Sequence, residues 1–269
     1  MNKIDYPVGV TPLDFLVSAI EKERYIETVN GIPGNVNYGF DYKEREVTLN
    51  FWLRHYHGEH DQKLLKSELY AMLDSQPYFY VSDDRLPTRV LKLAVDEPYL
   101  PDRINGSNIS TLEIKCQIIG LPFWQTKYTT QEIETNGYEA VIEKFGLADG
   151  INIDYPRYTF TESEFSLWNG GNVDIDPRNI ELLIQFYNLK TEGSFTITNL
   201  TTGEKHVLNK PFSGNHYLLS NAKAINASGV NYLRDTNRKF ISLAKGLNKF
   251  SIENGTFDRV IFDFKFHYL

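Results

Sequence analysis

Apolar and polar residues alternate along three segments in the first half of the chain. In residues 46–54 one face of an extended chain carries the apolar side chains Val47, Leu49, Phe51 and Leu53. The segments RVLKLAVD (89–96) and TLEIKCQII (111–119) alternate in the same way. A period of two residues is typical of a strand with one buried and one wetter face. We therefore predict a β-strand in each segment.

A different period separates the first two of these strands. Residues 61–77, DQKLLKSELYAMLDSQP, place their apolar side chains on one stripe of a helix, namely Leu64, Leu65, Leu69, Met72 and Leu73. This spacing predicts an amphipathic helix, with Asp61 as its N-cap and Pro77 marking its end. A weaker helical pattern covers GYEAVIEKFG (137–146).

The second half of the chain is dominated by short strand patterns with Gly- and Asn-rich turns. NIELLIQFYN (179–188) predicts a strand buried on both faces, and SFTITNLTTGEKHVL (194–208) predicts a hairpin that turns at Gly203. The chain ends on the alternating segment DRVIFDFKFHYL (258–269). This succession favours a β-sandwich. Because the pattern changes near residues 125–150, we predict a mainly β chain of two domains, 1–135 and 136–269.

Composition and charge narrow the class of protein. The 269 residues carry a formal net charge of −7 with 14% aromatic side chains, which disfavours a protein that specifically binds nucleic acid. The single cysteine, Cys116, excludes an intrachain disulfide, and its place in an alternating strand predicts a small buried hydrophobe. We find no signal-peptide pattern and no stretch of about 18 apolar residues. We expect a chain that is made and folded in a cytoplasm and not inserted into a membrane.

Half of the histidines lie in the segment LRHYHGEHDQ (53–62). His55, His57 and His60 stand beside Glu59 and Asp61, and all these side chain types can bind zinc. However, the segment lacks the HExxH spacing by which a helix presents two histidines to one metal ion. We therefore interpret it as a solvated connection between a strand and a helix, and predict neither a metal site nor a cofactor.

Other candidate sites are equally isolated. The pair Asp174 and Asp176 lies in a turn-rich segment before Pro177, where acidic residues are common. Trp52 and Trp168 could stack on sugars, although large aromatic side chains in strands usually belong to a core. The chain contains no Gly-x-Ser-x-Gly elbow, Walker loop or dinucleotide fingerprint. We predict that it is not an enzyme, which leaves a structural protein and a carbohydrate-binding protein as alternatives.

An ordered series of segments resembles the distal tail proteins of long-tailed phages that infect Gram-positive bacteria. In NGIPGNVNYGFDYKEREVTLNFWL (30–53), the resemblance lies in Pro33 and Gly34 in a loop, a further glycine at Gly39, and Arg45 at the start of a strand. The helix that ends in a proline follows. FSLWNGGNVDIDP (165–177), SFTITNLTTGE (194–204) and the last thirty residues continue the series.

The resemblance implies a fold and a role. It implies an N-terminal α+β belt domain, a β-sheet or split barrel with one amphipathic helix, that assembles into a hexameric ring, followed by a galectin-like β-sandwich. Such a ring joins the tail tube to the tail-associated protein and to receptor-binding baseplate proteins at the virion tail tip, after assembly in the host cytoplasm. No catalysis or cofactor is implied, and DNA would pass through the ring lumen. The alternative remains a lectin-like protein that binds carbohydrate through the sandwich.

The segment from Gly31 to Lys43 is the predicted contact between neighbours in the ring. It is rich in Gly, Asn and Tyr and has little means of packing a core of its own. Long ordered loops usually have a function, and pairing of strand edges between neighbours would suit this one. The predicted contact residues are Gly31, Pro33, Gly34, Tyr38, Gly39 and Arg45.

Overall fold

The computed structural model describes residues 4–221 and 223–269, and strands predominate among its elements. The mainly β class predicted from the sequence is confirmed. The chain divides into two compact units: unit 1 is Met1–Asp83 with Leu91–Pro122, and unit 2 is Asp84–Val90 with Phe123–Leu269. The domain boundary predicted between residues 135 and 136 remains a prediction, and the compact units divide the chain at other points.

Unit 1 is built on an antiparallel sheet with the strand order β1-β4-β8-β6; β5 pairs with β6, β7 pairs with β8, and β2 pairs with β3 in a separate hairpin. The first two residues of β6, Arg89 and Val90, belong to unit 2. The elements are β1 (Val10–Val17), β2 (Lys22–Glu27), β3 (Val36–Tyr42), β4 (Val47–Arg54), α1 (Glu59–Leu73), β5 (Phe79–Val81), β6 (Arg89–Ala94), β7 (Asp102–Arg103) and β8 (Ile109–Ile118).

The core of unit 1 follows the alternation read from the sequence. The side chains of β4 that are buried are Val47, Leu49, Phe51 and Leu53. On β8 the buried row includes Cys116, whose burial raises the pKa of its thiol to about 12. Helix α1 lies against β4 and buries Leu65 and Leu69. The predicted role of Cys116 as a small buried hydrophobe is confirmed.

Helix α1 begins differently from the prediction. Its N-cap is Gly58, which provides no side-chain cap. The Asp61 carboxylate lies in the first turn and accepts hydrogen bonds from the backbone N–H groups of Tyr56 (2.5 Å) and His57 (3.0 Å). These bonds favour the charged form and lower the pKa of Asp61. The prediction of Asp61 as N-cap is therefore wrong, because its carboxylate fastens the preceding loop instead.

Unit 2 contains two antiparallel sheets, one with the order β10-β18-β12-β15-β16 and one with the order β11-β17-β13-β14. In addition, β9 pairs with β19 and with Arg89 and Val90. The elements are β9 (Trp124–Thr126), α2 (Thr130–Phe145), β10 (Thr159–Phe160), β11 (Glu164–Asn169), β12 (Leu182–Thr191), β13 (Phe195–Asn199), β14 (Glu204–Leu208), β15 (Phe212–Ser220), β16 (Lys223–Asn226), a 3-10 turn (Leu233–Asp235), β17 (Gly246–Glu253), β18 (Arg259–Phe264) and β19 (His267–Tyr268).

Aromatic side chains join the two sheets of unit 2. The rings of Phe250 on β17 and Phe262 on β18 lie 5.0 Å apart, and Phe186 on β12 meets Phe195 on β13 at the same distance. Pairs of this kind contribute about 0.5–1.5 kcal/mol each beyond the burial of their area. The β-sandwich predicted for the second half of the chain is present.

Helix α2 is longer than the sequence pattern indicated. The helix begins after a capping box in which the Thr129 hydroxyl accepts from the Glu132 N–H and the Glu132 carboxylate accepts from the Thr129 N–H. A non-helical Gly137 kinks it in the middle. The predicted segment 137–146 covers only the part after this kink. The Thr130 hydroxyl donates to the carbonyl of Phe262 at 3.0 Å, which fastens the helix to β18.

Candidate interaction surface

The segment predicted as a contact loop is the turn and second strand of a β-hairpin. Strands β2 and β3 pair from Lys22 opposite Tyr42 to Glu27 opposite Val36. Gly31 and Gly34 lie in the turn with φ values of 87° and 83°, a region that glycine occupies without steric cost. The prediction of a long loop is wrong in this respect, because half of the segment is regular strand.

The hairpin carries apolar side chains but has no core. No residue of β2 or β3 is buried within the described chain. Tyr38 is 63% exposed and Ile26 58%. Tyr25 and Phe40 are also exposed. An isolated two-stranded hairpin is marginally stable in water at best, and exposed apolar patches commonly mark interaction sites.

Side chains of β2 contact side chains of β3 and of Lys43, which follows β3. Lys43 and Glu23 form an ion pair of 2.5 Å, and this partner raises the pKa of Lys43. The Lys22 ammonium lies 4.9 Å from the centre of the Phe40 ring. The Tyr38 hydroxyl donates to Glu27 at 3.1 Å. These contacts link the two strands, while Ile26, Tyr38 and Phe40 remain exposed.

Arg45, the last predicted contact residue, differs from the others because it is buried. It precedes β4 and is only 9% exposed. Its Nε and Nη1 atoms have no hydrogen-bond partner in the described part of the chain. Burial lowers the pKa of its guanidinium.

The structure does not bring the histidines together as a metal site. His57 and His60 are exposed and His55 is half-buried. The Asp61 carboxylate is occupied by two backbone N–H groups. Within residues 4–221 and 223–269, no group of three or more His, Cys, Asp or Glu side chains is placed to hold a metal ion.

Asp174 and Asp176, the acidic pair in the second half of the chain, make contacts within the protein. Asp176 forms an ion pair with Arg178, which lowers the pKa of the Asp176 carboxyl. Asp174 accepts a hydrogen bond of 2.8 Å from the backbone N–H of Lys245. Trp168 is half-buried and donates its indole N–H to the carbonyl of Gly150 at 3.0 Å. These side chains are explained by local structure.

Sequence reasoning missed the first strand of the hairpin and its exposed side chains. Tyr25 and Ile26 lie on β2, in a segment without clear alternation. The dipeptide Asn30-Gly31, a frequent turn sequence between paired strands, is the feature that could have identified the hairpin. One strand of the hairpin would then have been predicted before Asn30-Gly31 and the other after it.

Comparison with known proteins identifies a phage tail domain in the first part of the chain. Residues 8–116 match the family model of the phage tail protein RIFT-related domain. The crystal structure of the SPP1 Dit (gp 19.1) protein is similar at a TM-score of 0.62 and 15% identity, over 94% of this chain and 93% of that chain. A chain of the phage P2 baseplate in its activated conformation with calcium matches at a TM-score of 0.43 and 12% identity, over 96% and 90% of the two chains. No curated protein sequence matches the chain.

Residues 8–116 therefore carry the RIFT-related domain of phage tail proteins. Along nearly the whole length the fold is similar to that of the SPP1 Dit protein, and the resemblance to distal tail proteins recognised from the sequence is confirmed. Within the described residues, neither α-helix is long and apolar enough to cross a membrane.

Proposed function

We propose that this protein is a structural hub of a phage tail tip. It forms a ring, hexameric by the family resemblance, that connects the tail tube to the tail-associated protein and to the receptor-binding baseplate proteins. The family match over residues 8–116 supports a role in the tail. The similar SPP1 protein is described as a paradigm of the hub adsorption apparatus in phages that infect Gram-positive bacteria. Its role is structural, not catalytic, at the virion tail after assembly in the host.

One observation carries the proposal of self-assembly. The hairpin β2–β3 has exposed apolar side chains and no buried residue of its own. A neighbouring copy that covers the hairpin would supply the missing core. The hairpin of one copy then meets a different surface of the next copy, so the contact is heterologous. Repeated contacts of this kind produce a ring when the rotation from copy to copy adds up to a full turn. The contact residues are those predicted from the sequence, together with Tyr25, Ile26 and Phe40.

The test uses the full chain and two matched double variants. Ile26→Ser/Tyr38→Ser removes an isoleucine and a tyrosine from the hairpin. Ile153→Ser/Tyr155→Ser removes the same pair of residue types from an exposed segment of unit 2. Light scattering after size exclusion gives the mass of the assembly, and negative-stain images show whether it is a closed ring.

We expect a ring from the wild type and from the unit 2 variant, and smaller species from the hairpin variant. Loss of two exposed apolar anchors should weaken association by about 10- to 100-fold, with the thermal midpoint of the dissociated chain unchanged. A wild-type chain that remains monomeric at high concentration would contradict the proposal. So would a hairpin variant that assembles as well as the wild type.

A further inference from the structure

We propose that Asn30 and Asn105, each followed by a glycine in an exposed turn, are sites of spontaneous conversion of asparagine to aspartate and isoaspartate. The reaction needs only the chain and water. It adds a negative charge at the tip of the hairpin β2–β3 and at the turn between β7 and β8. The inference does not depend on the proposed ring.

The chemistry follows from the short side chain of asparagine and from the glycine after it. The backbone nitrogen of the glycine, after losing its proton, attacks the Cγ atom of the asparagine, and a five-membered succinimide ring closes. The Cγ–Nδ2 bond breaks, and ammonia leaves with the proton. Water then opens the ring at one of its two carbonyls, which gives aspartate or isoaspartate without any change of oxidation state. Glycine favours ring closure because it has no Cβ that restricts its peptide group.

The chain contains five Asn-Gly pairs, and the fold gives them different surroundings. The pairs lie at residues 30–31, 105–106, 136–137, 169–170 and 254–255. The first two lie in turns and are exposed at both residues, whereas the third lies within helix α2. The asparagine of the fourth pair is buried. The same dipeptide therefore occurs in reactive and in protected surroundings within one chain.

The tip of the hairpin leaves the peptide group between Asn30 and Gly31 free to rotate. The N–H of Ile32 donates to the carbonyl of Val29 at 3.1 Å, so this peptide group is the central one of a four-residue turn. Gly31 has a φ of 87°, and a Cβ added to it would meet nothing within 4 Å. No hydrogen bond among the described residues holds the Asn30 side chain or the Gly31 N–H. Ring closure therefore requires no neighbouring group to move.

The turn before β8 has the same arrangement. The N–H of Ser107 donates to the carbonyl of Ile104 at 3.1 Å and encloses Asn105 and Gly106. Gly106 has a φ of 73°, and a Cβ added to it would also meet nothing within 4 Å. We therefore expect Asn105 to react in the same way as the asparagine of the hairpin.

Asn169 has the same neighbour in sequence but the opposite surroundings. It is only 1% exposed. Its side-chain amide donates to the carbonyl of Val173 at 3.1 Å, and its Oδ1 atom accepts from the N–H of Gly171 at 3.1 Å. A Cβ added to Gly170 would lie 2.0 Å from the carbonyl oxygen of Gly150, so the backbone there is tightly enclosed. Ring closure at Asn169 requires local opening of the fold, and its rate is limited by the small open population.

The experiment incubates the full-length chain in water enriched in heavy oxygen, at a concentration where the chain is dissociated. Peptide mapping by mass spectrometry gives the fraction of aspartate and isoaspartate at each asparagine. Heavy oxygen in the product reports that water opened the ring. The chain in denaturant is the control, because all the Asn-Gly pairs then have the surroundings of an unfolded chain. The matched variant is Asn30→Gln, which keeps the amide but lengthens the side chain by one methylene group, so the five-membered ring cannot form.

We expect Asn30 and Asn105 to react at least about 10-fold faster than Asn169 in the folded chain, and all three to react at similar rates in denaturant. The rate at Asn30 should rise with pH, because the attacking nitrogen must lose its proton. Asn30→Gln should abolish the products at position 30 and leave the rate at Asn105 unchanged.

Two results would overturn the proposal. The first is an equal rate at Asn30 and Asn169 in the folded chain, or a reaction at Asn30 that occurs only in denaturant. The second is a set of new products at position 30 that carry no heavy oxygen, because water would then not have opened a ring there.

Discussion

The hairpin β2–β3 and the sandwich of unit 2 are both antiparallel and both rich in aromatic residues, yet their aromatic side chains have opposite surroundings. Phe186 and Phe262 lie on paired strands of the sandwich and are fully buried, because a second sheet covers their face. Tyr38 and Phe40 on the hairpin are exposed, because the described residues provide no second layer. Aromatic content alone therefore does not distinguish a self-sufficient core from a surface that needs a partner.

The largest expected effect is a loss of stability when the sandwich core is opened. Phe262 contacts Phe160, Phe165 and Phe250, so Phe262→Ala should reduce the free energy of unfolding of unit 2 by about 3–5 kcal/mol. Phe40→Ala on the hairpin should change the stability of the dissociated chain by less than about 0.5 kcal/mol. Chemical denaturation of both variants measures the difference. Equal losses would show that the hairpin has a core of its own.

A pair of glycine substitutions separates steric crowding from backbone strain. Gly150 and Gly34 have similar positive φ values of 79° and 83°, so alanine strains the backbone of both. A Cβ on Gly150 would lie 2.2 Å from the Tyr268 hydroxyl and 2.8 Å from the Gly170 carbonyl, whereas one on Gly34 meets nothing within 4 Å. Gly150→Ala should therefore cost about 1–3 kcal/mol more than Gly34→Ala, measured by thermal unfolding. Equal costs would contradict tight packing around Gly150.

The buried His267 should make the folded chain less stable in acid. Burial lowers the pKa of His267 to about 4, below the ordinary value of about 6.5. As pH falls from about 6.5 towards 4, the unfolded chain binds a proton that the folded chain excludes, so stability is present above this window and is lost across it. At pH 5 the loss from His267 should be about 2 kcal/mol.

The corresponding measurement is the difference between wild type and His267→Gln in unfolding free energy from pH 7 to pH 5. The variant should lose less stability over this range. Parallel profiles for the wild type and His267→Gln would mean that His267 does not remain neutral in the folded chain.

Most of the regular structure could be predicted because local patterns and tertiary packing agree there. The buried row of β4, the stripe of α1 and the hairpin turn at Gly203 all lie where alternation or turn residues indicate them. The N-cap of α1 was misplaced because the Asp61 carboxylate can either cap the helix or accept hydrogen bonds from the preceding loop. The sequence does not show which of the two is preferred. The part of α2 before Gly137 was missed although Thr129 and Glu132 form a recognisable capping box.

The candidate surface was only half predictable. Gly31, Gly34 and Tyr38 were selected by composition, and they lie in the turn and strand of an exposed hairpin. The burial of Arg45 was not predicted, since the run Lys43-Glu44-Arg45-Glu46 has the composition of a solvated connection. Extending the alternation of β4 back by one step would have placed Arg45 on the inner row. That its Nε and Nη1 atoms have no hydrogen-bond partner among the described residues depends on three-dimensional contacts that no local pattern encodes.

The smallest expected effect is the response to zinc. His57 and His60 are exposed on the connection before α1, with no rigid element that fixes both, so any ordering of their side chains around a metal ion would oppose binding. With a dissociation constant in the millimolar range, zinc at about 0.1 mM would add less than about 0.1 kcal/mol to the free energy of unfolding and shift the melting midpoint by under about 0.5 °C.

Elemental analysis of untagged protein purified without chelator should give well below one zinc per chain. His57→Ala is the control and should behave as the wild type in both measurements. Stoichiometric zinc that is lost in His57→Ala would show that this connection is a metal site. His57 and the buried His267 of unit 2 would then differ in metal binding as well as in burial.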